Sequence, residues 1–397
     1  MKVLFINGVC GFRSTGKICA DLADRLEETG HEAKIAYGRE SYVPEQYQKY
    51  AVRIGKDIDL KLHAISARLF DNSGFGSVNA TKIFLKGLEE YNPDIIHLHN
   101  IHGYYVNIEL LFNYLKRSGK RVLWTLHDGW AFAGHSARCD MIGCERWKTG
   151  CYKCPKQREY PKSYIDRSKQ NWEKKKELFT NVRDLTIITP SYWLASEVQE
   201  SFLSNYPVTV IHNGIDTTVF RHCESDFKKR LGLSDKKILL GVSTAWDEMK
   251  GLSDYYKLAD IVGKEYQVIL VGLTDDQKKK LPYNVIGITR TNSVQELVKI
   301  YSVTDVHVNL SYCDTYPTVN IEAAACGVPT VSYRTGGSPE FVVPTGGLVV
   351  NKGDINAVAQ AIKTPMRVVF DRETSSNKLA IYKYICTYKS LMLKEKG

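Results

Sequence analysis

Two carboxylates, Asp314 and Glu322, stand eight positions apart in "SYCDTYPTVNIEAAACGVPTV" (311–331), with Pro317 between them. Proline suits the first position of a helix, so this spacing sets one acid just outside a helix start and the other inside it. An ionised carboxylate accepts two hydroxyl hydrogen bonds, which fixes a ligand bearing paired hydroxyls. The free N–H groups of such a turn, at the positive end of the helix dipole, suit an anion. Each acid also has a plainer reading: a group that steadies the dipole, or one on a solvated face.

A second chemical stretch is "GFRSTGKI" (11–18), which follows the phosphate-binding pattern G-x-x-x-x-G-K-[ST] until Ile18. Isoleucine cannot supply the hydroxyl that ligates Mg²⁺. Gly8, Gly11 and Gly16 are therefore expected to form a backbone cradle for a phosphate without a metal. A third is the cysteine cluster: Cys139, Cys144, Cys151 and Cys154 fall within sixteen residues and end in C-x₂-C. In a reducing compartment the spacing points to a structural zinc thiolate or to free structural thiols.

The elements that must hold these groups follow from the apolar pattern. "KVLFIN", "AKIAYG", "DIIHLHN", "RVLWTLH", "LTIITPS" and "VTVIHNG" alternate with helical stretches before residue 215. "KILLGVS", "YQVILVG", "NVIGIT", "DVHVNLS", "VPTVSY" and "GLVVN" repeat the pattern after residue 235. Continuous apolar strands between helices indicate parallel sheets covered on both faces, hence two doubly wound α/β domains. Ligands in that architecture sit beyond the C-terminal strand ends. The last stretch reads as one helix, with Leu379, Ile381, Tyr384, Ile385, Tyr388 and Leu391 near helical spacing.

At 397 residues, 43% hydrophobic and 25% charged, the composition is that of a globular enzyme. No apolar run approaches the roughly 18 residues of a membrane span, and the N-terminus reads as a strand, which leads to a cytoplasmic expectation. A net charge of +10 suits anionic partners. No aromatic-basic module for nucleic acid is evident. Basic residues gather between 146 and 187, either as a solvated face or as a surface for an anionic membrane, with Trp172 as an interfacial anchor.

"MKGLSDYY", the 311–331 stretch and "TGGSPEF" resemble the nucleotide-sugar domain of family 4 retaining glycosyltransferases. "GFRSTGKICADL", "HLHNIHGYYVN", "TLHDGWAFAGH", "TPSYWLA" and "NGIDTTVF" are similar to a branch found in bacterial capsule, exopolysaccharide and O-antigen gene clusters. The resemblance implies the GT-B fold: two Rossmann-like domains facing across a cleft, with the C-terminal helix returning to the first. It divides the chain into an acceptor domain, 1–215 with helix 377–397, and a donor domain, 216–376. It implies that Asp314 faces the donor sugar and Glu322 the ribose, with Thr315, Tyr316 and Thr318 beside them. Lys250 and the glycine loop would neutralise the diphosphate, with Arg290, Arg13 or Lys17 sharing that work. His127 would approach the donor sugar as a catalytic group, with Asp128 orienting it or receiving the acceptor proton. His99, His102 and Tyr104 fall on the acceptor side, and His97 in the scaffold.

The same resemblance implies retention of configuration, no metal required for catalysis, and a UDP-sugar donor. The acceptor would be a saccharide or a polyprenyl-diphosphate-linked saccharide, reached from the cytoplasmic face of a membrane. Two residues depart from the family pattern: Asp314 replaces the usual glutamate, and Ala245 replaces a basic residue before "KG". They keep open a non-catalytic nucleotide-sugar-binding protein, or a phosphorylase or epimerase on the same fold.

Overall fold

The computed structural model describes residues 1–393 and divides into two units, Met1–Ile211 with Ile381–Gly397, and His212–Ala380. In the first unit the strands are β1 (Lys2–Ile6), β2 (Glu32–Tyr37), β3 (Ala51–Arg53), β4 (Ile95–Leu98), β5 (Arg121–Thr125), β6 (Leu185–Thr189) and β7 (Val208–Val210). They form one sheet in the order β3-β2-β1-β4-β5-β6-β7. Every pairing is parallel, with Val3 opposite both Ala33 of β2 and Ile95 of β4. Ile95 to Leu98 and Leu185 to Thr189 are buried throughout, as strands covered on both faces require. Phe112, Trp124 and Phe179 pack together under this sheet, with ring centroids 4.3 Å (Phe112–Phe179) and 5.0 Å (Trp124–Phe179) apart. Burying each such side chain contributes about 1.5–3 kcal/mol.

In the second unit β8 (Lys237–Val242), β9 (Tyr266–Val271), β10 (Val285–Ile288), β11 (Val306–Asn309), β12 (Thr330–Tyr333) and β13 (Leu348–Val350) are also parallel. Their order is β10-β9-β8-β11-β12-β13. Each strand read from an apolar run is present, and each sheet is Rossmann-like. β3 is an addition: Arg53 interrupts its short apolar stretch, and it pairs along β2 at the sheet edge.

Chain order reverses between β1 and β4 in the first sheet and between β8 and β11 in the second. At these points the loops leaving adjacent strands part in opposite directions and open a crevice for a ligand. The glycine-rich loop follows β1, and the Lys250 and Asp314 loops follow β8 and β11.

The final helix, Asn377–Leu393, buries Tyr384, Ile385, Tyr388 and Leu391. Tyr388 Oη lies 2.7 Å from His97 Nδ1, and Tyr384 Oη 3.4 Å from Thr125 Oγ1, so its last turns belong to the first unit. The basic stretch does not form the uniform surface expected. Lys156 and Lys175 are buried, Lys148 pairs with Glu145 and Glu200, and Lys174 pairs with Glu109. Trp172 is also buried, its indole N–H donating to Trp147 O at 2.9 Å, so it cannot serve as an interfacial anchor.

Candidate active site

In the first unit, the loop after β1 leads into the helix Arg13–Glu28, whose N-cap Phe12 offers no side-chain oxygen and whose first turn carries no acid. Its leading N–H groups thus keep their positive end for an external acceptor. Gly11 has φ +75°, and a Cβ there would lie 2.4 Å from Tyr47 Cδ2, so both conformation and space require glycine. Gly16 lies inside the helix, its carbonyl accepting the Gly11 N–H at 3.2 Å, and Gly8 sits where β1 ends. Asn7 ties the loop down by donating to Val9 O at 2.8 Å and accepting from Asn100 N–H at 3.3 Å. The cations of this region are engaged: Arg13 pairs with Glu40 at 2.5 Å, and Lys17 with Asp21 and with Tyr47 Oη at 3.0 Å.

Beyond β4 and β5 lies an imidazole cluster. His99 Nδ1 is 3.0 Å from His127 Nε2, and the two rings stack at 5.3 Å with 17° between planes. His97, beneath them, spends both nitrogens on Tyr388 and on Thr125 Oγ1 at 2.8 Å, which makes it scaffold. Burial is the main cause of low basicity throughout. It drives His97 to about 3, with help from the neighbouring His127, and His127 to about 4 despite the nearby Asp128. His99 falls well below its ordinary value for the same reason. At neutral pH these are uncharged hydrogen-bonding groups.

Asp128 turns its carboxylate to His102, Oδ2 to Nε2 3.1 Å, while Oδ1 accepts the Trp130 N–H at 2.9 Å. Burial alone would raise its pKa, but His102, the Trp130 N–H and His127 together hold it below the ordinary value. A carboxylate so stabilised is a weak base and a firm orienting group. A small pocket is lined by His99, His102, His127, Asp128 and Trp130. His99 Nε2 and His102 Nδ1 are buried there without a hydrogen-bond partner among the described residues. Unpaired buried nitrogens are costly, and ligand hydroxyls would satisfy them. Tyr104 does not join this group; it packs on His63 at 5.6 Å and Tyr160 at 6.1 Å, with φ +72°.

In the second unit, the Tyr312 N–H donates to Met249 O at 2.8 Å and so joins the loops after β8 and β11. Gly251 has φ +70°, and a Cβ would meet Leu310 O at 2.3 Å; the "KG" step is pressed against the exit of β11. Lys250 Nζ consequently reaches Asp314 Oδ2 at 2.7 Å. Behind this pair the buried Asp254 accepts from Tyr312 Oη at 2.6 Å and Tyr333 Oη at 2.8 Å. Arg290 is exposed beyond β10 and makes no ion pair with Asp314 among the described residues.

The helix here is Thr318–Ala325, with Pro317 as its N-cap (φ −70°, ψ 120°), one position before the place the sequence suggested. No side chain caps it and its first turn holds no acid, so its N–H groups face outward unneutralised. Glu322 is half-buried; Tyr301 Oη donates to its Oε2 at 3.1 Å, and Thr318 bonds its carboxylate as well. Burial pushes Glu322 up to about 7 against the pull of those two hydroxyls. Thr315 O accepts the Gly337 N–H at 3.1 Å. Tyr316 is buried and stacks on His212 at 4.6 Å, 13° from parallel, so its ring is committed to packing.

Of the four clustered cysteines, Cys144, Cys151 and Cys154 lie near enough to one another to interact electrostatically. Among the described residues, no three His, Cys, Asp or Glu side chains group closely enough to hold a metal. Cys151 Sγ accepts the Gly134 N–H at 3.2 Å and Cys139 Sγ donates to Ser136 O at 3.6 Å. Burial pushes the Cys151 thiol up to about 11.

Sequence reasoning singled out neither Asn7, Tyr301 and Asp254, which brace the site, nor the individual role of Lys175. Lys175 is buried, donates to Trp130 O and Ala133 O at 2.8 Å each, and lies 3.5 Å over the Trp130 ring. Burial lowers its pKa to about 7. Its place in a basic run gave no sign that it alone turns inward.

Two Rossmann-like parallel sheets with their polar loops at the switch points define the GT-B class of glycosyltransferases. Residues 15–219 match the family described as Glycosyltransferase Family 4, and residues 224–368 match Glycosyl transferases group 1. The chain belongs to glycosyltransferase family 4. It is 25% identical over 384 residues to a protein of Escherichia coli K12 provisionally named colanic acid biosynthesis glycosyl transferase WcaC, covering 91% of this chain and 90% of that one. Its fold is similar to sucrose-phosphate synthase of Thermosynechococcus elongatus (TM-score 0.70, 17% identity, 98% and 99% coverage). It is also similar to Anabaena Alr3699/HepE, solved in complex with UDP-glucose (TM-score 0.63, 16% identity, 98% and 99% coverage).

Proposed function

We propose that this glycosyltransferase moves a sugar, with retention, from a UDP-sugar to a saccharide or polyprenyl-diphosphate-linked saccharide in the synthesis of a bacterial surface polysaccharide. The observation that carries the reading is the Lys250–Asp314 pair at the switch point of the second sheet, beside an uncapped helix start and the half-buried Glu322. A cation and free N–H groups suit a diphosphate, and two carboxylates suit the hydroxyls at its two ends. The HepE structure with UDP-glucose and the family match support a nucleotide-sugar donor.

In the transfer, the bond from the anomeric carbon to the diphosphate oxygen breaks and one to an acceptor hydroxyl forms. Lys250 and the helix N–H groups would take up charge on the departing diphosphate, so the reaction needs no divalent ion. Neutral His127 would hold a sugar hydroxyl without adding positive charge beside an anomeric centre that is itself becoming positive. Asp128 would fix His102 toward the acceptor. The protein would work in the cytoplasm at the membrane surface; among the described residues, no helix is long and apolar enough to cross a membrane.

The test is a panel of nucleotide sugars screened by thermal shift, followed by assay of nucleoside diphosphate release with oligosaccharide acceptors in EDTA. The reading requires one UDP-sugar to stabilise the protein and to turn over in EDTA with an α- or β-linkage matching the donor. Turnover only with phosphate as acceptor, or epimerisation without transfer, would replace it.

A further inference from the structure

Arg39 follows the carboxyl end of β2, beside the glycine-rich loop of the first unit. Its backbone N–H donates to Gly8 O at 2.9 Å, which fixes where the side chain starts. From there the side chain runs along two glycines. A Cβ on Gly8 would lie 3.8 Å from Arg39 Cδ, and one on Gly103 would lie 3.2 Å from Cδ and 3.7 Å from Nε. Gly103 has φ +113°, so conformation and space together keep a side chain out of the arginine's path. The guanidinium ends 5.6 Å from the centre of the Tyr160 ring, within cation–π reach. A half-buried arginine led along so defined a course ordinarily meets an acid. Among the described residues Arg39 has none. Glu40, next in the chain, is engaged by Arg13, and Asp128, whose charge also reaches the Tyr160 hydroxyl, is engaged by His102.

We infer that Arg39 sets acceptor specificity by binding a carboxylate or phosphate carried by the acceptor. A guanidinium is a planar fork of donors that matches either group two hydrogen bonds at a time. Arg39 is partly desolvated, held in place and without a counter-charge, so an anionic ligand would supply what the fold leaves out. The course of the side chain favours the acceptor over the donor. It leaves Gly8 behind, crosses Gly103 and ends over Tyr160. Gly103 directly follows His102, which Asp128 fixes on the acceptor side, and Tyr160 packs on Tyr104. The inference rests on the transferase reading and narrows its acceptor to one with negative charge near the reacting hydroxyl. A uronic-acid sugar and a diphosphate-linked sugar both carry that chemistry.

Calorimetric titration of acceptor candidates into the full chain, with and without UDP and with no sugar donor, tests it apart from transfer. Two matched pairs serve as probes. One is a disaccharide ending in glucuronic acid against the same disaccharide ending in glucose. The other is an alkyl-diphosphate-linked N-acetylglucosamine against its uncharged alkyl glycoside. Wild type should bind the charged member of one pair at least about tenfold more tightly, and the pair that responds tells a sugar carboxylate from a linking phosphate. Arg39→Gln should erase that preference while the neutral members and UDP stay within about twofold of wild type. Arg39→Lys should restore only part of it, because an ammonium keeps the charge without the fork. The melting temperature should hold in Arg39→Gln; should it fall, Arg39→Lys carries the same comparison. Wild type that binds charged and neutral members alike, or binds none, would overturn the inference, as would a preference that survives Arg39→Gln. So would a loss of UDP affinity in Arg39→Gln, which would give the arginine to the donor diphosphate. A charge preference that Arg39→Gln erases, in a protein that turns over no UDP-sugar, would remove the transfer reading and leave the anion site standing.

Discussion

Lys250 Nζ and Asp314 Oδ2 lie 2.7 Å apart, although 64 positions separate them in the chain. Each is less than one-quarter exposed, so the pair is partly desolvated and oriented. Asp314 therefore orients the Lys250 ammonium. Asp314→Asn should reduce kcat/KM with the full donor by about a hundredfold, the scale of a misplaced reacting centre. Asp314→Glu should recover little, because the added methylene drives the carboxylate into the Lys250 ammonium. Steady-state kinetics with the donor found in the screen measures both.

Glu322 carries a pH prediction. Its carboxyl titrates at about 7 in the fold against an ordinary 4.5. Between those values the folded chain holds a proton that the unfolded chain has lost, so stability falls as pH rises through this window. Glu322→Gln removes this pH dependence, and above pH 7 it should raise stability by roughly 1–3 kcal/mol. Ribose hydroxyls donate best to the ionised form, so UDP binding should tighten as pH passes 7 in wild type and stay flat in the variant. Denaturation and titration at pH 6 and pH 8 check the two effects separately.

His127 and His99 are held neutral by burial. The pH–rate profile should accordingly show no histidine step between pH 5.5 and 8 from this cluster. His127→Ala should lower kcat by about a hundredfold or more while UDP affinity stays within a factor of about two, because the groups proposed to hold the nucleotide, Lys250 and Glu322, belong to the second unit. A parallel loss in both would show that the side chain acts through the fold.

His97 joins β4 to the C-terminal helix through Tyr388, 291 positions away. His97→Ala leaves Tyr388 Oη and Thr125 Oγ1 with a lost partner inside a core and opens a void. It should cost about 2–4 kcal/mol of stability. Hydrogen exchange should quicken in Tyr384–Leu391 before the rest of the sheet. Equilibrium denaturation with peptide-resolved exchange reads both.

The fold was legible because parallel strands covered on both faces leave nearly continuous apolar runs, as in Leu185–Thr189 and Lys237–Val242. β3 was not, since Arg53 breaks its apolar stretch after two residues. The positions of Asp314 and Glu322 about a helix start were readable from local spacing. What they touch was not: Tyr301 beside Glu322 and Lys250 beside Asp314 come from other elements. The density of cysteines along the chain was legible, but the partners that orient Cys139 and Cys151, Ser136 O and the Gly134 N–H, were not. Lys175 shows the same limit, because a lysine among lysines gives no local sign of burial.

Calorimetric titration of UDP into wild type, Lys250→Met, Glu322→Gln and Asp314→Asn tests the account's central claim, that the second unit holds the diphosphate and ribose at separate groups. Lys250→Met and Glu322→Gln should each weaken UDP by about 1.5–3 kcal/mol, the worth of a charged hydrogen bond. Asp314→Asn should leave UDP affinity unchanged or slightly higher, because it frees the Lys250 ammonium for the diphosphate. Equal weakening by all three, or none from Lys250→Met, would contradict the account.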